Sequence, residues 1–242
     1  ARIDADAANL SLGAYPIPRQ GLGQFYGKAL NRIMTFANKE GTLLVIAAGN
    51  DAANLQQDKN LISLPNEGAQ GVSVAATGPE GFTFGPDGFD DPPESPAFYT
   101  NYGTNAVDLG APGGDLDFGA LAAFRASGDG LTSDEIRKLI GDWVLSTTFD
   151  ATGTPRKKDL DGDGDTDIVT NEPTSRTPRY GYKLGTSMAA PQVAGAAALV
   201  KSANPSYNAN QVESALKRAA DVPDGYDKRF YGSGFVNVVD AL

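Results

Sequence analysis

Apolar runs of strand length alternate with a helical pattern in the first part of the chain. Residues 7–12 form a short apolar run that ends at Gly13, and residues 42–48 are apolar without alternation, as expected of a strand covered on both faces. Between them, residues 25–39 repeat apolar side chains at helical spacing, and Gly41 follows as a stop signal. The predicted apolar face of this helix is made of Tyr26, Leu30, Ile33, Met34 and Ala37.

Residues 71–77 and 106–109 have the pattern of two further short strands. Strands that alternate with helices favour a parallel sheet with helices on both of its faces. The chain is therefore predicted to be an α/β protein.

Two helices are predicted at the carboxyl end of the chain. The first begins near Thr186 and continues through a run of alanines to about Ala203. The second follows Asn208, which has Gln211 three residues later as its partner in a capping box, and continues to about Ala220.

The composition narrows the possible function classes. The 242 residues are 40% hydrophobic, enough to bury a substantial core as one large domain or two small ones. A net charge of −10, with no basic cluster larger than residues 156–158, argues against a nucleic-acid-binding surface. No apolar run approaches the roughly 20 residues of a membrane span. The absence of cysteine excludes disulfides, and it fits a secreted or cell-envelope protein as well as chance.

The string Gly-Thr-Ser-Met-Ala-Ala-Pro at residues 185–191 carries the first candidate chemistry. Ser187 falls in the first turn of a predicted helix, where the backbone N–H points outward and the helix dipole is positive, which suits a developing oxyanion. Pro191 is tolerable inside a helix only because it lies one turn from the start. The alternative is a capped helix with an alanine-rich core face, which a lone Thr-Ser pair would favour.

The second candidate stretch ends the predicted buried strand and is made of Ala47, Ala48, Gly49 and Asn50. Ligands of α/β folds gather at the carboxyl ends of strands. A carboxamide at that point can donate a hydrogen bond to charge that forms on a carbonyl oxygen. Gly-Asn is also an ordinary turn sequence, so this stretch alone is weak evidence.

Together these stretches resemble the subtilisin-like serine proteases, the subtilase or peptidase S8 family. GTSMAAPQVAGAAAL is similar to the nucleophile segment, VIAAGN to the strand that carries the oxyanion asparagine, and NLSLG to the substrate-binding strand. GVSVAAT, FYTNYGTNAVDLGAPG and YGSGFVNVVDAL occur in the family's order, so the similarity extends from about Asn9 to Leu242. It implies a three-layer subtilisin-like fold with a mostly parallel sheet flanked by helices.

The resemblance implies a serine endopeptidase that hydrolyses a peptide or protein substrate. Ser187 would be the acylated nucleophile, and the Asn50 side chain and the Ser187 backbone N–H would form the oxyanion hole. The backbone of Ser11, Leu12 and Gly13 would pair with the substrate as a strand.

The resemblance also implies the walls of a specificity pocket. Ala47, Ala48 and Gly49 would form the wall opposite the substrate-binding strand. Ser63 aligns with the pocket floor, where family members often have glycine, which implies a shallow pocket for modest apolar side chains. Residues 64–65 fall where subtilases have a cis peptide bond, and only an X-Pro bond adopts cis at low cost.

The chain departs from the family in lacking the general base of the catalytic triad. Subtilases order the triad as Asp, His and Ser, with the first two before the SLG strand, and this chain has no histidine. A serine hydroxyl is a poor nucleophile without a base, and Lys183 is excluded as one because Ser–Lys pairs belong to other folds. Gln192 also stands where many relatives have a second, structural histidine.

We therefore expect the C-terminal portion of a catalytic domain, incomplete at its N-terminal side and inactive alone. Its expected partner is the N-terminal segment of the same protease that carries Asp and His. Without that segment, sheet edges and apolar surface are expected to be exposed, and the chain alone is expected to be poorly soluble, domain-swapped or dependent on a partner fragment.

An acidic loop at residues 159–170 predicts a structural calcium site. Ca²⁺ accepts six to eight oxygens from flexible loops, and a crowd of carboxylates repels itself unless a cation gathers it. Thr170 stands where an EF-hand-like loop needs glutamate, so the match is incomplete and a solvated acidic loop is the alternative. The predicted ligands are Asp159, Asp161, Asp163, Asp165 and Asp167.

The link before the nucleophile segment is longer than in subtilases. Residues 143–148 resemble the strand that relatives carry in that link, so insertions are expected at about 114–142 and 149–180, within a single portion 1–242. The first insertion is predicted to contain a helix over residues 133–143, and the second contains the acidic loop.

Three functions remain open from the sequence. The first is the endopeptidase, with this chain supplying nucleophile, oxyanion hole and most of the cleft. The second is a degenerate subtilase that binds peptides or partners without cleaving them. The third is a calcium-dependent structural module in which the protease motifs are relics.

Overall fold

The computed structural model describes most of the chain, in segments and in two units. One unit combines Ala1–Val144 with Leu184–Leu242, and the other is Leu145–Lys183. The described residues are 4–57, 59–68, 70–79, 83–85, 88–90, 94–116, 121–122, 126, 143–152, 155–158, 168–171, 175–222 and 225–242.

The larger unit contains the strands of the central sheet and the helices that cover it. Its described strands are β1 (Ala7–Leu10), β2 (Ala14–Pro18), β3 (Leu43–Ala47), β4 (Leu61–Leu64), β5 (Val72–Pro79), β6 (Thr83–Gly85), β7 (Gly88–Asp90), β8 (Glu94–Pro96) and β9 (Leu109–Pro112). Its described helices are α1 (Leu22–Lys39), α2 (Thr186–Ala203), α3 (Ala209–Arg218), α4 (Lys228–Tyr231) and α5 (Val238–Ala241).

Four parallel strands form the central sheet in the order β1, β3, β5 and β9. Asn9 lies opposite Val45, Val45 opposite Val72, and Val74 opposite Leu109. β8 pairs antiparallel with the end of β5, while β2 pairs with β4 in a separate antiparallel ribbon. The predicted α/β class with a mostly parallel sheet is confirmed.

The central strand β3 is buried on both faces, as its unbroken apolar run predicted. Leu43, Val45 and Ala47 pack in the main core on the α2 side, whereas Leu44 and Ile46 pack with Met34 of α1 on the other side. Successive side chains of a strand point to opposite faces, so this strand contacts both helical layers. The buried face of α2 is made of small and β-branched side chains, namely Ala189, Ala190, Val193, Ala196, Ala197 and Val200.

The buried face of α1 differs from the predicted one. Leu30, Met34 and Ala37 pack on the sheet as expected, but Tyr26 and Ile33 are 52% and 62% exposed. The helix begins at Leu22, three residues before the predicted start, and its buried face includes two glycines, Gly23 and Gly27. A Cβ at Gly23 would collide with the Pro18 carbonyl, so the helix meets the β2 strand on its glycine side. This close approach turns Tyr26 and Ile33 toward solvent.

The strand predicted at residues 106–109 is wrong, because the strand β9 starts only at Leu109. The chain turns before it: the Val107 N–H donates to the Gly103 carbonyl at 3.2 Å, and the Asp108 N–H donates to the Ser73 carbonyl at 2.9 Å. The Val107 bond closes a turn that begins at Gly103, whereas the Asp108 bond already reaches β5, to which Ser73 belongs, so contact with the neighbouring strand begins only at Asp108.

The carboxyl-terminal helices agree with the sequence. α2 has the predicted bounds, and α3 begins after Asn208 with the predicted capping box, although it ends two residues earlier, at Arg218. The Leu64–Pro65 bond is cis as predicted, and Tyr15–Pro16 is a second cis bond that the sequence analysis did not anticipate.

The described residues of the smaller unit form two separate two-stranded ribbons. β10 (Val144–Thr152), which starts one residue before the unit, pairs with β13 (Ser175–Lys183), and β11 (Pro155–Lys158) pairs antiparallel with β12 (Ile168–Asn171). The strand expected at residues 143–148 is thus found as β10. The helix predicted at residues 133–143 lies, apart from its last residue, outside the described residues.

Candidate active site

The carboxyl ends of β1 and β3 and the amino end of α2 meet at one edge of the sheet. Because β1 and β3 are parallel, with Leu10 opposite Ile46, the residues that follow both strands lie at the same edge. A cavity of about 400 Å³ opens there. It is lined by Ser11, Leu12, Gly13, Ala14, Tyr15, Ala47, Gly49, Asn50, Asp51, Ser63, Thr186 and Ser187.

Ser187 is the second residue of α2 and is half-buried at the cavity. The N-cap, Gly185, has φ 144° and ψ 157°, a conformation that favours glycine, and its N–H donates to the Gly113 carbonyl at 2.9 Å. N–H groups of a first helical turn have no acceptor within the helix. The Ser187 N–H also finds none elsewhere in the described part of the chain. It is a free donor at the positive end of the helix dipole.

The Asn50 carboxamide is oriented by Thr186. Its Oδ1 accepts hydrogen bonds from the Thr186 backbone N–H and hydroxyl, both at 2.9 Å. Because a backbone N–H can only donate, the carboxamide oxygen must face the helix, and Nδ2 must face away from it. The fully buried Thr186 hydroxyl also lies 3.2 Å from the Gly49 N–H, which donates to it. Among the described residues Nδ2 has no acceptor, so Asn50 brings a second free donor to the cavity.

Asn101 holds the loop after β3 from behind, and sequence analysis missed it. Its fully buried side chain accepts from the backbone N–H groups of Asp51 and Ala53 at 2.9 and 3.0 Å and donates to the Ala48 carbonyl at 3.1 Å. Its own N–H donates to the Gly49 carbonyl at 2.9 Å. Gly49 has φ 106°, and a Cβ there would collide with the Asn101 amide. An Asn in a Thr-Asn-Tyr-Gly turn gave no sequence signal for this role.

Ser11 contacts Ser187 at two points. The Ser11 hydroxyl donates to the Ser187 carbonyl at 2.7 Å, and the Ser187 hydroxyl lies 3.5 Å from the Ser11 carbonyl, at the limit of a hydrogen bond. The carboxylate that lines the cavity, Asp51, accepts from the Asn101 side chain at 3.1 Å. Within the described part of the chain, the Ser187 hydroxyl therefore has no base in hydrogen-bonding contact.

Ser63 and Ala47 lie at the cavity, but Ala48 does not match its predicted place. Ser63 is 3% exposed, and its N–H donates to the Glu67 carboxylate at 2.5 Å. Ala48 is fully buried in the interior. Side chains alternate along an extended backbone, so Ala47 faces the cavity and the next methyl group faces away from it. Of the three residues predicted to form one wall of the pocket, Ala47 and Gly49 line the cavity and Ala48 does not.

A buried tyrosine supports the turn that follows β9, whose Gly113 carbonyl also accepts from the N-cap of α2. The Tyr99 hydroxyl donates to the Gly114 carbonyl at 2.6 Å and lies 3.0 Å from the Gly113 carbonyl. Burial raises the pKa of the Tyr99 phenol well above its ordinary value, so it stays a neutral donor. Gln192 also ties α2 to β9, since its Nε2 donates to the Pro112 carbonyl at 2.6 Å.

The predicted calcium ligands lie outside the described residues. Asp159, Asp161, Asp163, Asp165 and Asp167 belong to the segment between the paired strands β11 and β12, in which Lys158 lies opposite Ile168. In the part of the chain that is described, no group of three or more His, Cys, Asp or Glu side chains is placed to hold a metal ion. No described helix is both long and apolar enough to cross a membrane.

A larger cavity of about 730 Å³ contains none of the predicted site residues. Two of its lining residues, Asn66 and Ser73, are buried, and neither the Asn66 Oδ1 nor the Ser73 hydroxyl has a partner among the described residues. Asp108 and Glu213 also line it and form ion pairs with Lys217 at 2.7 and 2.6 Å. Burial opposes a charged Lys217, but its two carboxylate partners outweigh burial and raise its pKa.

Comparison with known proteins gives a consistent set of similarities. The sequence profile of the subtilase family of peptidases matches residues 1–234. An extracellular protease of Xanthomonas campestris is 28% identical over 98% of this chain and 28% of its own length. The epidermin leader peptide-processing serine protease of Staphylococcus epidermidis is 26% identical over 100% of this chain and 48% of its own length.

Solved structures show the same similarity. A protease of Pseudoalteromonas arctica matches 98% of this chain and 50% of that protein, with 30% identity and a TM-score of 0.58. The chain thus spans half or less of the length of these three relatives.

Proposed function

Because this chain belongs to the subtilase family, we propose that it supplies the nucleophile, the oxyanion hole and most of the substrate cleft of a serine endopeptidase. Ser187 is the nucleophile in this proposal. The substrate is a peptide or protein whose scissile carbonyl enters the 400 Å³ cavity.

The observation that carries the proposal is the convergence of two free donors at one cavity. Asn50 Nδ2 is left free because Thr186 takes the carboxamide oxygen, and the Ser187 N–H is left free because it lies in the first helical turn. Preorganised donors aimed at developing negative charge are the largest single contribution to catalysis in many enzymes. A core helix cap needs no such second donor from a distant loop.

The proposed reaction follows from these positions. The Ser187 oxygen attacks the scissile carbonyl carbon, and the carbonyl oxygen becomes an oxyanion that accepts from Asn50 Nδ2 and the Ser187 N–H. The C–N bond then breaks to leave an acyl ester on Ser187. Water attacks the ester and releases the acid. A base takes the hydroxyl proton in the first step and returns a proton to the leaving amine.

We propose that this base is a histidine oriented by an aspartate, both carried by an N-terminal segment of the same protease. The 242 residues contain no histidine, and no described residue offers the Ser187 hydroxyl a base. Within the described residues, β1 pairs with β3 alone, so one edge of a parallel sheet is open to a further strand. Both observations support a partner segment on the β1 side, next to Ser11.

The pocket supports a preference for modest apolar side chains. Ser63 keeps its hydroxymethyl group at the cavity where glycine would leave more room, and Ala47 and Gly49 add only small groups to the opposite wall. Replacing Ser63 by Gly is expected to shift kcat/KM toward larger side chains by about 10- to 200-fold, since one small group in such a pocket is worth about 1–3 kcal/mol. Competition between peptides that differ at this one position measures the shift.

We also propose that calcium stabilises the acidic loop. Five aspartates supply the hard oxygen ligands that Ca²⁺ prefers, and the loop joins two strands whose ends are paired. Calcium would neutralise the loop and take no part in the reaction. Calcium is expected to raise the melting temperature of the parent chain and not that of a variant with Asp161→Ala and Asp163→Ala. A calcium-induced shift of the same size in both proteins would exclude the site.

Two further parts of the proposal concern the location of the protein and the possible loss of its catalytic activity. The extracellular relative and the absence of cysteine support a secreted or cell-envelope protein. The missing base supports the second candidate function, a subtilase fold that binds peptides without cleaving them.

The test is covalent labelling of Ser187 with a fluorophosphonate, which needs an activated serine. The chain is labelled alone and together with the segment that precedes it in the protease, with Ser187→Ala as control. Labelling of the assembled parent only, at Ser187, is the result expected. No labelling in either state, with peptide binding retained in a titration, would favour the binding module.

A further inference from the structure

The Ser187 carbonyl lacks the partner that an α-helix ordinarily gives it. In α2 this carbonyl should accept from the N–H of the residue four positions later. That residue is Pro191, which lies inside the helix and has no N–H. The nucleophile residue therefore carries an acceptor that its own helix cannot satisfy.

Ser11 supplies the missing donor from another part of the chain. Its hydroxyl donates to the Ser187 carbonyl at 2.7 Å, the ideal length for an O–H···O bond, although the two residues lie 176 positions apart. Asn9 in turn orients the Ser11 hydroxyl, since Asn9 Nδ2 donates to the hydroxyl oxygen at 3.0 Å. The competing bond from the hydroxyl to Asn9 Oδ1 is longer, at 3.3 Å.

We propose that Ser11 is a positioning residue for the nucleophile, a role that rests on the proposed endopeptidase function and goes beyond pairing with substrate. Its hydroxyl replaces the N–H that Pro191 lacks and thereby fixes the first turn of α2. Ser187 presents both its hydroxyl and its backbone N–H from that turn. One hydrogen bond from Ser11 consequently sets the direction of the attacking oxygen and of one oxyanion donor.

The geometry explains why this bond matters more than an ordinary surface contact. A half-buried carbonyl without a donor is unfavourable, and the first turn can relieve it only by turning toward solvent. Such a reorientation of the first helical turn moves both reactive groups of Ser187 relative to Asn50, which Thr186 holds in place. Displacements of about 1 Å in reacting groups cost roughly 100-fold in rate.

A double-mutant cycle on the assembled protease tests the proposal. Ser11→Ala is expected to slow fluorophosphonate acylation and kcat by about 10- to 100-fold with KM little changed, and Ser11→Thr, which keeps the hydroxyl, is expected to restore most of the rate. Pro191→Ala returns a backbone N–H to the Ser187 carbonyl. In that background, Ser11→Ala is expected to cost less than about 3-fold. Full additivity of the two substitutions would overturn the role of Ser11.

Ser214→Ala is the matched control. The Ser214 hydroxyl also donates to a backbone carbonyl, that of Asn210, at 2.7 Å, but it lies on α3 away from the cavity. The control is expected to leave the acylation rate unchanged, and a loss equal to that of Ser11→Ala would also contradict the proposal.

Hydrogen exchange on the 242-residue chain alone separates this inference from the proposed function. Ser11→Ala is expected to raise amide exchange of residues 185–190 about 10-fold, and Pro191→Ala is expected to reverse most of that rise. An assembled protease that never labels would overturn the endopeptidase proposal. Exchange that Ser11→Ala leaves unchanged would overturn the positioning role whether or not the protease is active.

Discussion

The two cavities described above both lie in the larger unit, and they differ in what their unpartnered groups can bind. The 400 Å³ cavity offers donors, the Asn50 Nδ2 and the Ser187 N–H. The 730 Å³ cavity offers the Asn66 Oδ1 acceptor, a single Ser73 hydroxyl, and carboxylates that already pair with Lys217. The smaller cavity is therefore suited to an oxygen that gains negative charge, and the larger one is not.

The comparison shows that neither size nor unsatisfied polarity identifies an active site. The larger cavity has more volume and more buried unpartnered atoms, yet its unpartnered hydroxyl, that of Ser73, lies in the strand β5 and not in the first turn of a helix. The smaller cavity joins two donors, each made free by a different cause, next to a hydroxyl at a helix start. This convergence of two donors and a hydroxyl distinguishes the smaller cavity from the larger one.

The largest expected effect comes from removing a donor in the smaller cavity. Asn50→Ala is expected to lower kcat of the assembled protease about 10²–10³-fold with KM nearly unchanged, a range known from subtilisin itself, a member of this family. Steady-state kinetics on a peptide substrate measures both constants. Asn66→Ala, the equivalent change in the larger cavity, serves as the control and should leave kcat within about 2-fold of the parent. Equal losses in both variants would remove the distinction between the cavities.

A smaller effect is expected from the residue that supports the smaller cavity. Asn101→Ala leaves the N–H groups of Asp51 and Ala53 without acceptors inside the protein, so it should lower the free energy of unfolding by roughly 3 kcal/mol. The Asn50 loop should shift as well, which lowers kcat less than Asn50→Ala does. Urea unfolding and kinetics on the same preparation check both results. A stable Asn101→Ala variant with parent kcat would show that the loop needs no such anchor.

The smallest effect is expected from the ion pairs of the larger cavity. Lys217→Met should cost about 1 kcal/mol of unfolding free energy at pH 7, with kcat unchanged, because both carboxylate partners remain partly exposed. Folding raises the Lys217 pKa, so the ion pairs stabilise the protein below the lysine pKa of the unfolded chain. That stability is lost as the pH rises through the higher folded value. Urea unfolding measured from neutral to strongly alkaline pH should show the unfolding free energies of the parent and the variant converging. A difference that stays constant with pH would show that the ion pairs are not its cause.

Much of the fold could be predicted because the pattern reflects burial directly. An unbroken apolar run predicted β3 with both faces covered, and capping residues predicted the start of α3. The predicted buried face of α1 was partly wrong because the close approach of Gly23 to Pro18 is a tertiary contact, and the spacing of hydrophobic residues does not encode it. The predicted start of β9 was wrong because a turn, closed by the hydrogen bond from the Val107 N–H to the Gly103 carbonyl, precedes the strand.

The sequence motifs predicted the residues of the candidate site, with two exceptions. Ser187, Asn50 and Ser63 lie at one cavity, as the resemblance implied. Asn101 was missed because its partners are backbone groups about 50 positions away, which leave no trace in local sequence. Ala48 was assigned to the wall because the motif contains it, whereas strand alternation turns it inward.

The most direct measurement is a crystal structure of the assembled protease with a phosphonyl adduct on Ser187. The adduct's charged oxygen takes the place of the oxyanion. The account predicts that this oxygen lies 2.7–3.1 Å from both Asn50 Nδ2 and the Ser187 backbone nitrogen. An adduct whose oxygen points to solvent, or whose Asn50 carboxamide stays turned away from it, would contradict the account.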